Sequence, residues 1–278
     1  MIPKILHLFW DNNSMSWLQV LTVKTFHKLN PDWWIKVYKP INIRKNENEW
    51  IPKYTGNDCF YEIKQLPYVD VVYTDITDYG INPKLNSIHI SDILRYCVLY
   101  EEGGIWSDFD VLWLKPIELM YNIVQTKGLV PVKKLGASVC MLNDITGMHT
   151  IGVLFARPGH PMYADLIKEC KLLQRSINSN NYHQVFGSMI WDRWWPKLNN
   201  CLYDYHDLVG FPYKTFYPYS LLKLEDLYKE VKLDLIEEGT MAVHWFNGHV
   251  LSKEYINNKD CLSIDCTMTR IIKELNLL

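Results

Sequence analysis

The chain has 278 residues, of which 48% are hydrophobic and 22% are charged, a profile typical of a soluble globular protein. Its 29 basic residues do not exceed its 31 acidic ones, so the charge needed to bind a nucleic-acid backbone is missing and nucleic acid is disfavoured as a partner. The apolar stretch in MIPKILHLFW is too short for a signal sequence, and no window reaches the roughly 20 apolar residues of a membrane helix. We therefore expect a cytoplasmic protein without a transmembrane segment. The abundance of Lys, Asn and Ile suggests a bacterial, phage or virus-infected host cytoplasm.

Strand and helix patterns alternate along the chain. Apolar runs and alternating patterns predict strands within residues 5–10, 34–38, 69–77, 105–114, 152–161 and 241–246. Amphipathic or uniformly apolar patterns predict helices at 17–29, 91–102, 162–175, 220–237 and 269–278. No internal repeat or long linker divides the sequence. Alternation of this kind favours one α/β domain with a mixed sheet.

The helix predicted at Ser91–Glu102 is apolar on nearly all sides, which indicates a buried helix. Ser91 is expected to cap its start and the Gly103-Gly104 step to end it. Asp92 and Arg95 are three residues apart, so they lie on the same helix face. An ordinary intrahelical ion pair would explain these two residues as well as a functional role would.

Two carboxylates follow this helix in the extended segment Ile105–Leu114. Side chains two apart in a strand point to the same side, about 6.5–7 Å apart, so Asp108 and Asp110 face one volume while Phe109 points into the core. Such a pair repels unless a cation or hydrogen bonds compensate, and Mg²⁺ or Mn²⁺ prefers oxygen ligands of this kind. The alternative is that both residues are exposed turn residues after a Gly-Gly loop.

The whole segment SDILRYCVLYEEGGIWSDFDV (91–111) resembles a known sugar-nucleotide-binding pattern, S-D-x-x-R-Y-x-x-L-Y-x-x-G-G-I-[YW]-x-D-x-D. It is shared by DxD-motif glycosyltransferases of the sugar-binding region family, which include α-mannosyl-, α-galactosyl- and α-N-acetylglucosaminyltransferase-like proteins and, more distantly, clostridial toxins. The resemblance implies a single GT-A type domain over 1–278, with a mixed, mostly parallel central sheet flanked by helices. Residues 1–115 would form the nucleotide-sugar-binding half, and 116–278 the acceptor-side half with a C-terminal helix.

The resemblance also implies roles for residues of this segment. Asp110 would bind Mn²⁺ or Mg²⁺ directly, and Asp108 would contact the donor ribose or the metal. Asp92 and Arg95 would hold hydroxyl groups of the donor sugar, and Trp106, in the aromatic position of the pattern, would contribute to donor binding. The nucleotide-sugar is then a co-substrate, and a glycan or other hydroxyl compound is the acceptor.

Two further segments resemble parts of the same family. IPKILHLFW (2–10) is similar to its first strand, so Trp10 or the backbone near Leu8 would pack against the base, unless Trp10 is simply a core residue. AVHWFNG (242–248) is similar to its late Ala-x-His-x-x-Asn segment, so His244 and Asn247 would approach the metal or the diphosphate, with His244 a candidate metal ligand. A buried structural histidine is the alternative for His244.

The acceptor side has a weaker signal. The aromatic runs WDRWW (191–195) and FPYKTFYPY (211–219) are candidate sugar platforms, but core packing or a subunit contact explains such rings at least as well. Asp192 is a candidate acceptor-side residue.

The expected function is metal-dependent transfer of a sugar from a nucleotide-sugar, a UDP-sugar in preference to GDP-mannose, with retention of anomeric configuration. One alternative is a non-catalytic sugar-nucleotide or glycan-binding protein of the same fold. A second is a phosphohydrolase that uses its D-x-D as nucleophile and acid/base.

Overall fold

The computed structural model describes residues 2–43, 53–120, 137–142, 149–175, 185–191 and 208–276. Within these ranges the strands are β1 (Ile5–Phe9), β2 (Trp34–Pro40), β3 (Val69–Thr74), β4 (Gly104–Ser107), β5 (Val111–Trp113), β6 (Ala137–Leu142), β7 (His149–Thr150), β8 (Val153–Ala156), β9 (Leu208–Gly210) and β10 (Ala242–His244). The α-helices are α1 (Trp17–Leu29), α2 (Phe60–Lys64), α3 (Ser87–Glu101), α4 (Pro161–Leu173), α5 (Glu225–Tyr228), α6 (Val250–Asn257) and α7 (Thr267–Leu275). None of the described helices combines the length and the apolar character that crossing a bilayer requires.

The main sheet has the strand order β3-β2-β1-β4-β8-β6-β7, with β9 paired to β6. Strands β1 to β4 run parallel to one another, and β8 is antiparallel to β4. The predicted α/β class, with a mixed, mostly parallel sheet flanked by helices, is confirmed. In an open sheet of this order the chain reverses direction of winding between β1 and β4, and ligands bind beyond the carboxyl ends of the strands at such a point.

A second, two-stranded sheet joins β5 to β10 in antiparallel register, with Val111 opposite His244. The segment 105–114 is therefore not one extended strand, and the expectation that Asp108 and Asp110 project from a single strand is wrong. Strand β4 is paired within the main sheet and β5 within the small one, so the chain must turn between them. The two aspartates lie in this connection, and its turn brings them together.

Three hydrogen bonds from distant parts of the chain fix this turn. The backbone N–H of Asp108 donates to the Gly152 carbonyl at 2.8 Å. The Thr22 hydroxyl donates to the Phe109 carbonyl at 2.8 Å, and the Trp245 N–H donates to the Asp110 carbonyl, also at 2.8 Å. Buried backbone groups need such partners, so α1, β8 and the end of β10 together set the conformation of the turn.

Helix α3 begins one turn earlier than the sequence suggested. Asn86 is its N-cap, and its side chain accepts the His89 N–H at 2.8 Å. Ser91 lies inside the helix, because Asn caps as well as Ser does and the residues after Asn86 complete a further turn. The end is as predicted: Gly103 and Gly104 have φ values of +68° and +98°. A Cβ on Gly104 would lie 2.5 Å from the Ile5 carbonyl oxygen, so glycine also permits the close approach of β4 to β1.

The helix predicted at 220–237 is wrong. This segment forms a 3-10 turn at Leu221–Lys223, the four-residue α5 and a second 3-10 turn at Leu233–Leu235. The hydroxyl of Thr267, at the start of α7, donates to the carbonyls of Asp226 and Glu230 at 2.7 and 2.9 Å. The Lys232 N–H, which a continuing helix would direct to the Tyr228 carbonyl, donates instead to the Thr267 hydroxyl oxygen at 2.7 Å.

Candidate functional site

A cavity of about 480 Å³ opens beyond the carboxyl ends of β1 and β4. Its walls come from the loop after β1, from α1, from residues 53–54, from the face of α3, from the turn between β4 and β5, and from α6 with the residues leading into it. Its lining residues include Trp10, Asp11, Asn13, Ser87, Ser91, Arg95, Asp108, Asp110, Asn247 and Lys253. The cavity therefore lies where the order of the parallel strands predicts a ligand site.

Asp108, Asp110 and His244 form one cluster beside this cavity. One possible ligand atom from each residue lies within 4.8 Å of the other two. Ligand atoms about 2.1 Å from a Mg²⁺ ion are at most about 4.2 Å apart, so a small inward shift would let all three share a cation. Two carboxylates and an imidazole are a donor set suited to Mn²⁺ or Mg²⁺, and the residues present fit the ion that the motif implies.

Asp110 is held by the segment that follows β10. Its Oδ1 lies 3.2 Å from His244 Nε2, and its Oδ2 accepts the Asn247 backbone N–H at 2.9 Å. Burial acts to raise the pKa of Asp110, but the charge and hydrogen bond of His244, with the Asn247 N–H, outweigh it and lower the pKa. Asp110 is thus an ionised carboxylate at neutral pH.

The pKa of His244 shifts in the opposite direction to that of Asp110. Burial favours its neutral form, but Asp110 outweighs burial and raises the pKa of His244. Its Nδ1 accepts the Phe246 N–H at 3.3 Å, so Nε2 carries the hydrogen that faces Asp110. For Nε2 to bind a cation, the neutral ring must carry its hydrogen on Nδ1 instead, and it then loses the hydrogen bond from the Phe246 N–H.

A buried charge cluster lies on the α3 side of the cavity. Arg95 Nη2 lies 2.7 Å from Asp92 Oδ1 and 3.5 Å from Asp108 Oδ1, and Nη1 donates to the Ile151 carbonyl at 2.6 Å. Burial raises the pKa of Asp92 to about 7 despite the opposing charge of Arg95. Burial also raises the pKa of Asp108, with Arg95 again opposing it. Arg95 therefore links the helical Asp92 to the first aspartate of the D-x-D pair.

The other expected ligand residues divide into two groups. Trp10 lines the cavity, where its ring packs edge-on against Phe109 at 5.3 Å between centroids. The side chains of Leu8 and Trp106 are fully buried and do not line the cavity, because both belong to strands within the core of the sheet. Trp106 acts through a neighbour instead: its Nε1 donates to Asp108 Oδ1 at 3.0 Å.

Sequence reasoning missed Lys253. This side chain lines the cavity from α6, is only 7% exposed, and donates from Nζ to Asn247 Oδ1 at 2.7 Å. Burial lowers its pKa, with Asp110 and Asp11 as opposing charges. A lone lysine in an amphipathic pattern carries no signal of its own, and only the folded chain shows that it faces the D-x-D turn.

The aromatic runs fill the core rather than form an exposed platform, as far as the described residues show. Trp191 is buried and donates from Nε1 to the Tyr96 hydroxyl at 3.1 Å. Phe216, Tyr217 and Tyr219 are also buried. Asp192 and the rest of its run, 192–195, lie outside the described residues.

Residues 16–128 match the family model described as glycosyltransferase sugar-binding region containing DXD motif. The initiation-specific alpha-1,6-mannosyltransferase of Saccharomyces cerevisiae is 24% identical over 173 residues, which cover 54% of this chain and 35% of the yeast protein. The chain thus spans about a third of the length of this curated relative.

Two solved structures resemble the chain loosely. The PaToxG glycosyltransferase has a TM-score of 0.48 at 17% identity, over 72% of this chain and 70% of that one. The apo-form glycosyltransferase GlyE of Streptococcus pneumoniae TIGR4 also has a TM-score of 0.48, at 10% identity, over 99% of this chain and 60% of that one. The similarity to this family rests on the sequence match and not on these overlaps. Residues 16–128 are therefore similar to glycosyltransferase sugar-binding regions that contain a DXD motif.

Proposed function

We propose that this protein is a metal-dependent glycosyltransferase of the GT-A type, with one domain over 1–278, that moves a sugar from a nucleotide-sugar to a hydroxyl group of a glycan or similar acceptor. One observation carries the proposal. The D-x-D pair of the matched family lies with His244 beside a single cavity, and Arg95, paired with Asp92, reaches that cavity from α3. Family motif and geometry thus indicate the same surface.

The arrangement of the walls suggests how a donor would lie. The base would lie near Trp10 at the end of β1, and the diphosphate would lie at the turn that carries Asp108 and Asp110. The sugar would then face α3, where Ser91 and Arg95 line the cavity. Asp92 is 3% exposed and does not line the cavity, so we propose that it orients Arg95 and does not itself contact the sugar.

The chemistry needs negative charge to be stabilised as the nucleoside diphosphate leaves. A divalent cation held by Asp108, Asp110 and His244 would supply Lewis-acid stabilisation of that leaving group. Lys253 lines the same cavity, and its ammonium group would add positive charge near the phosphates. Asn247 orients this lysine through its side-chain oxygen while its N–H holds Asp110.

We propose retention of anomeric configuration, on the basis of the family resemblance. In this reaction the bond from the anomeric carbon to the diphosphate oxygen breaks, and a bond from that carbon to the acceptor oxygen forms on the same face. The proton of the acceptor hydroxyl passes to the departing phosphate. The chain then needs to bind and orient both substrates but need not supply a separate base.

The donor proposed first is a UDP-sugar. GDP-mannose is the alternative, because the yeast relative is named as a mannosyltransferase. A panel of sugar nucleotides, each with Mn²⁺, tests both by the rise in unfolding temperature and by slow hydrolysis of the donor. A ligand that binds only the folded state raises the unfolding temperature, so the sugar nucleotide with the largest rise identifies the preferred base and sugar together.

The proposal is tested by Asp110→Asn against Asp265→Asn, an exposed aspartate that pairs with Arg270 outside the cavity. Asp110→Asn should abolish donor turnover while Asp265→Asn retains it, and EDTA should stop the wild-type reaction until Mn²⁺ is restored. Wild-type turnover by Asp110→Asn at saturating Mn²⁺ would refute the proposal. Donor binding without turnover on any acceptor would favour the non-catalytic alternative.

A further inference from the structure

Gly152 lies directly before β8, behind the cluster of Asp108, Asp110 and His244. A Cβ at this position would lie 2.4 Å from the Tyr217 hydroxyl oxygen, 3.1 Å from Asp108 Oδ2 and 3.3 Å from His244 Cδ2. The backbone of Gly152 is not among the glycines with positive φ, so its conformation alone does not require glycine. What the position requires is the absence of a side chain, because three groups from different elements meet at the point where one would be.

Both backbone groups of Gly152 bond to members of this assembly. Its carbonyl accepts the Asp108 N–H at 2.8 Å, and its N–H donates to the Tyr217 hydroxyl at 3.1 Å. One residue therefore ties the first aspartate of the D-x-D pair to the Tyr217 ring. Asp108 cannot shift along the turn without disturbing one of these two bonds.

The Tyr217 ring in turn fixes the plane of the imidazole. It stacks on His244 with 4.6 Å between ring centroids and 22° between planes, and Phe246 packs against the imidazole edge-on at 4.4 Å between centroids. Tyr217 is 7% exposed, so its ring is confined by the surrounding core.

We propose that Gly152 and Tyr217 are positioning residues that hold Asp108 and His244 at the separation a divalent cation requires. This inference rests on the proposed function, since it assumes that the cluster binds a cation. Neither residue needs to touch the ion or the donor. Groups behind metal ligands typically change metal affinity by about 10- to 100-fold when they are altered.

Two variants test the inference, each with a matched control. Gly152→Ala places a methyl group among Tyr217, Asp108 and His244, whereas Gly239→Ala places one where no atom lies within 4 Å. Tyr217→Phe keeps the stacked ring but removes the hydroxyl that accepts the Gly152 N–H. Tyr219→Phe removes a hydroxyl that donates to the Lys232 carbonyl at 2.9 Å, outside the metal cluster.

The readout is the Kd for Mn²⁺ by titration calorimetry, measured without donor or acceptor, alongside the unfolding temperature. Gly152→Ala should weaken Mn²⁺ binding at least tenfold and Tyr217→Phe about three- to tenfold. Both controls should bind Mn²⁺ as the wild type does, although Tyr219→Phe loses stability comparably to Tyr217→Phe. If Gly152→Ala fails to fold, the two tyrosine variants decide the question.

The outcomes separate this inference from the proposed function. If wild type binds Mn²⁺ and Tyr217→Phe binds it equally well, the positioning role is refuted while the metal site stands. The positioning role is also refuted if Tyr217→Phe and Tyr219→Phe lose Mn²⁺ affinity to the same extent, because the effect would then reflect general loss of structure. If the wild type does not bind Mn²⁺, the metal-dependent function is refuted and this inference with it.

Discussion

Replacing Arg95 with methionine should destabilise the protein severely. The guanidinium lies 2.7 Å from Asp92 and 3.5 Å from Asp108, and the side chains of Arg95 and Asp92 are each 4% exposed. At an effective dielectric constant of about 20, these distances correspond to roughly 6 and 5 kcal/mol of attraction, which offset a desolvation cost of several kcal/mol for each ion. Methionine keeps the apolar stem but leaves Asp92 without its partner and the Ile151 carbonyl without its donor.

We expect Arg95→Met to lower the free energy of unfolding by about 3–5 kcal/mol at pH 8.5, where Asp92, with a pKa of about 7, is ionised beside Arg95, as breaking a buried ion pair does. Urea unfolding followed by tryptophan fluorescence measures this change. The matched control is Arg270→Met, because Arg270 forms a bidentate pair with Asp265 at 2.8 and 2.9 Å at the surface. An exposed pair of that kind contributes about 1 kcal/mol or less.

A double-mutant cycle assigns the effect to the ion pair. Asp92→Asn removes the buried charge that Arg95→Met would leave uncompensated, so the double variant should be more stable than the sum of the single effects predicts, by about 1–3 kcal/mol. Strict additivity would show that the two side chains do not interact in solution. A loss for Arg95→Met no larger than that for Arg270→Met would refute the reasoning about burial.

Two further predictions concern Lys253 and His7. Lys253→Met should weaken binding of a nucleoside diphosphate about 10- to 100-fold, since a charge-assisted contact is lost. The control is Lys259→Met, which changes an exposed lysine. An unchanged Kd for Lys253→Met would exclude the phosphate role. Burial lowers the pKa of His7 to about 4, while its Nε2 lies 2.7 Å from the Gly103 carbonyl. Below about pH 6.5 the histidine of the unfolded chain binds a proton, whereas folded His7 binds one only near pH 4. The free energy of unfolding should therefore fall by on the order of 3 kcal/mol between pH 6.5 and pH 4, and His7 should not affect it above pH 6.5. Unfolding titrations should show a smaller acid-side loss for His7→Gln than for the wild type; equal losses would show that His7 is not responsible.

Sequence patterns predicted the elements that depend on neighbouring residues. Strand β1, helix α1 and the glycine stop after α3 agree with expectation, because apolar spacing and end signals act over a few residues. The Asp92–Arg95 pair was also predictable, since three residues along a helix bring two side chains to one face. The D-x-D pair was identified as a pair, although a single strand was the wrong reason for its geometry.

Elsewhere the local pattern misled, and tertiary contacts explain why. The sequence of 220–237 has helical spacing of leucines, yet the Lys232 N–H that a longer helix would use donates to the Thr267 hydroxyl oxygen. The segment 105–114 has the apolar character of one strand, yet its two ends pair with different partners, β1 on one side and β10 on the other. Patterns among neighbouring residues do not reveal such competition from distant pairing and hydrogen-bond partners.

By itself, the sequence determined the resemblance of the D-x-D segment, the α/β class and the identity of the acidic pair, since each depends on residues close together along the chain. Only the tertiary structure decided which residues surround that pair. His244 lies beside the pair because β10 pairs with β5, which places it opposite Val111. Gly152, Tyr217 and Lys253 are held there by their own contacts with other elements. Hydrophobic periodicity is a short-range signal, whereas the distances within this site are set by strand register and by buried contacts between elements far apart in the chain.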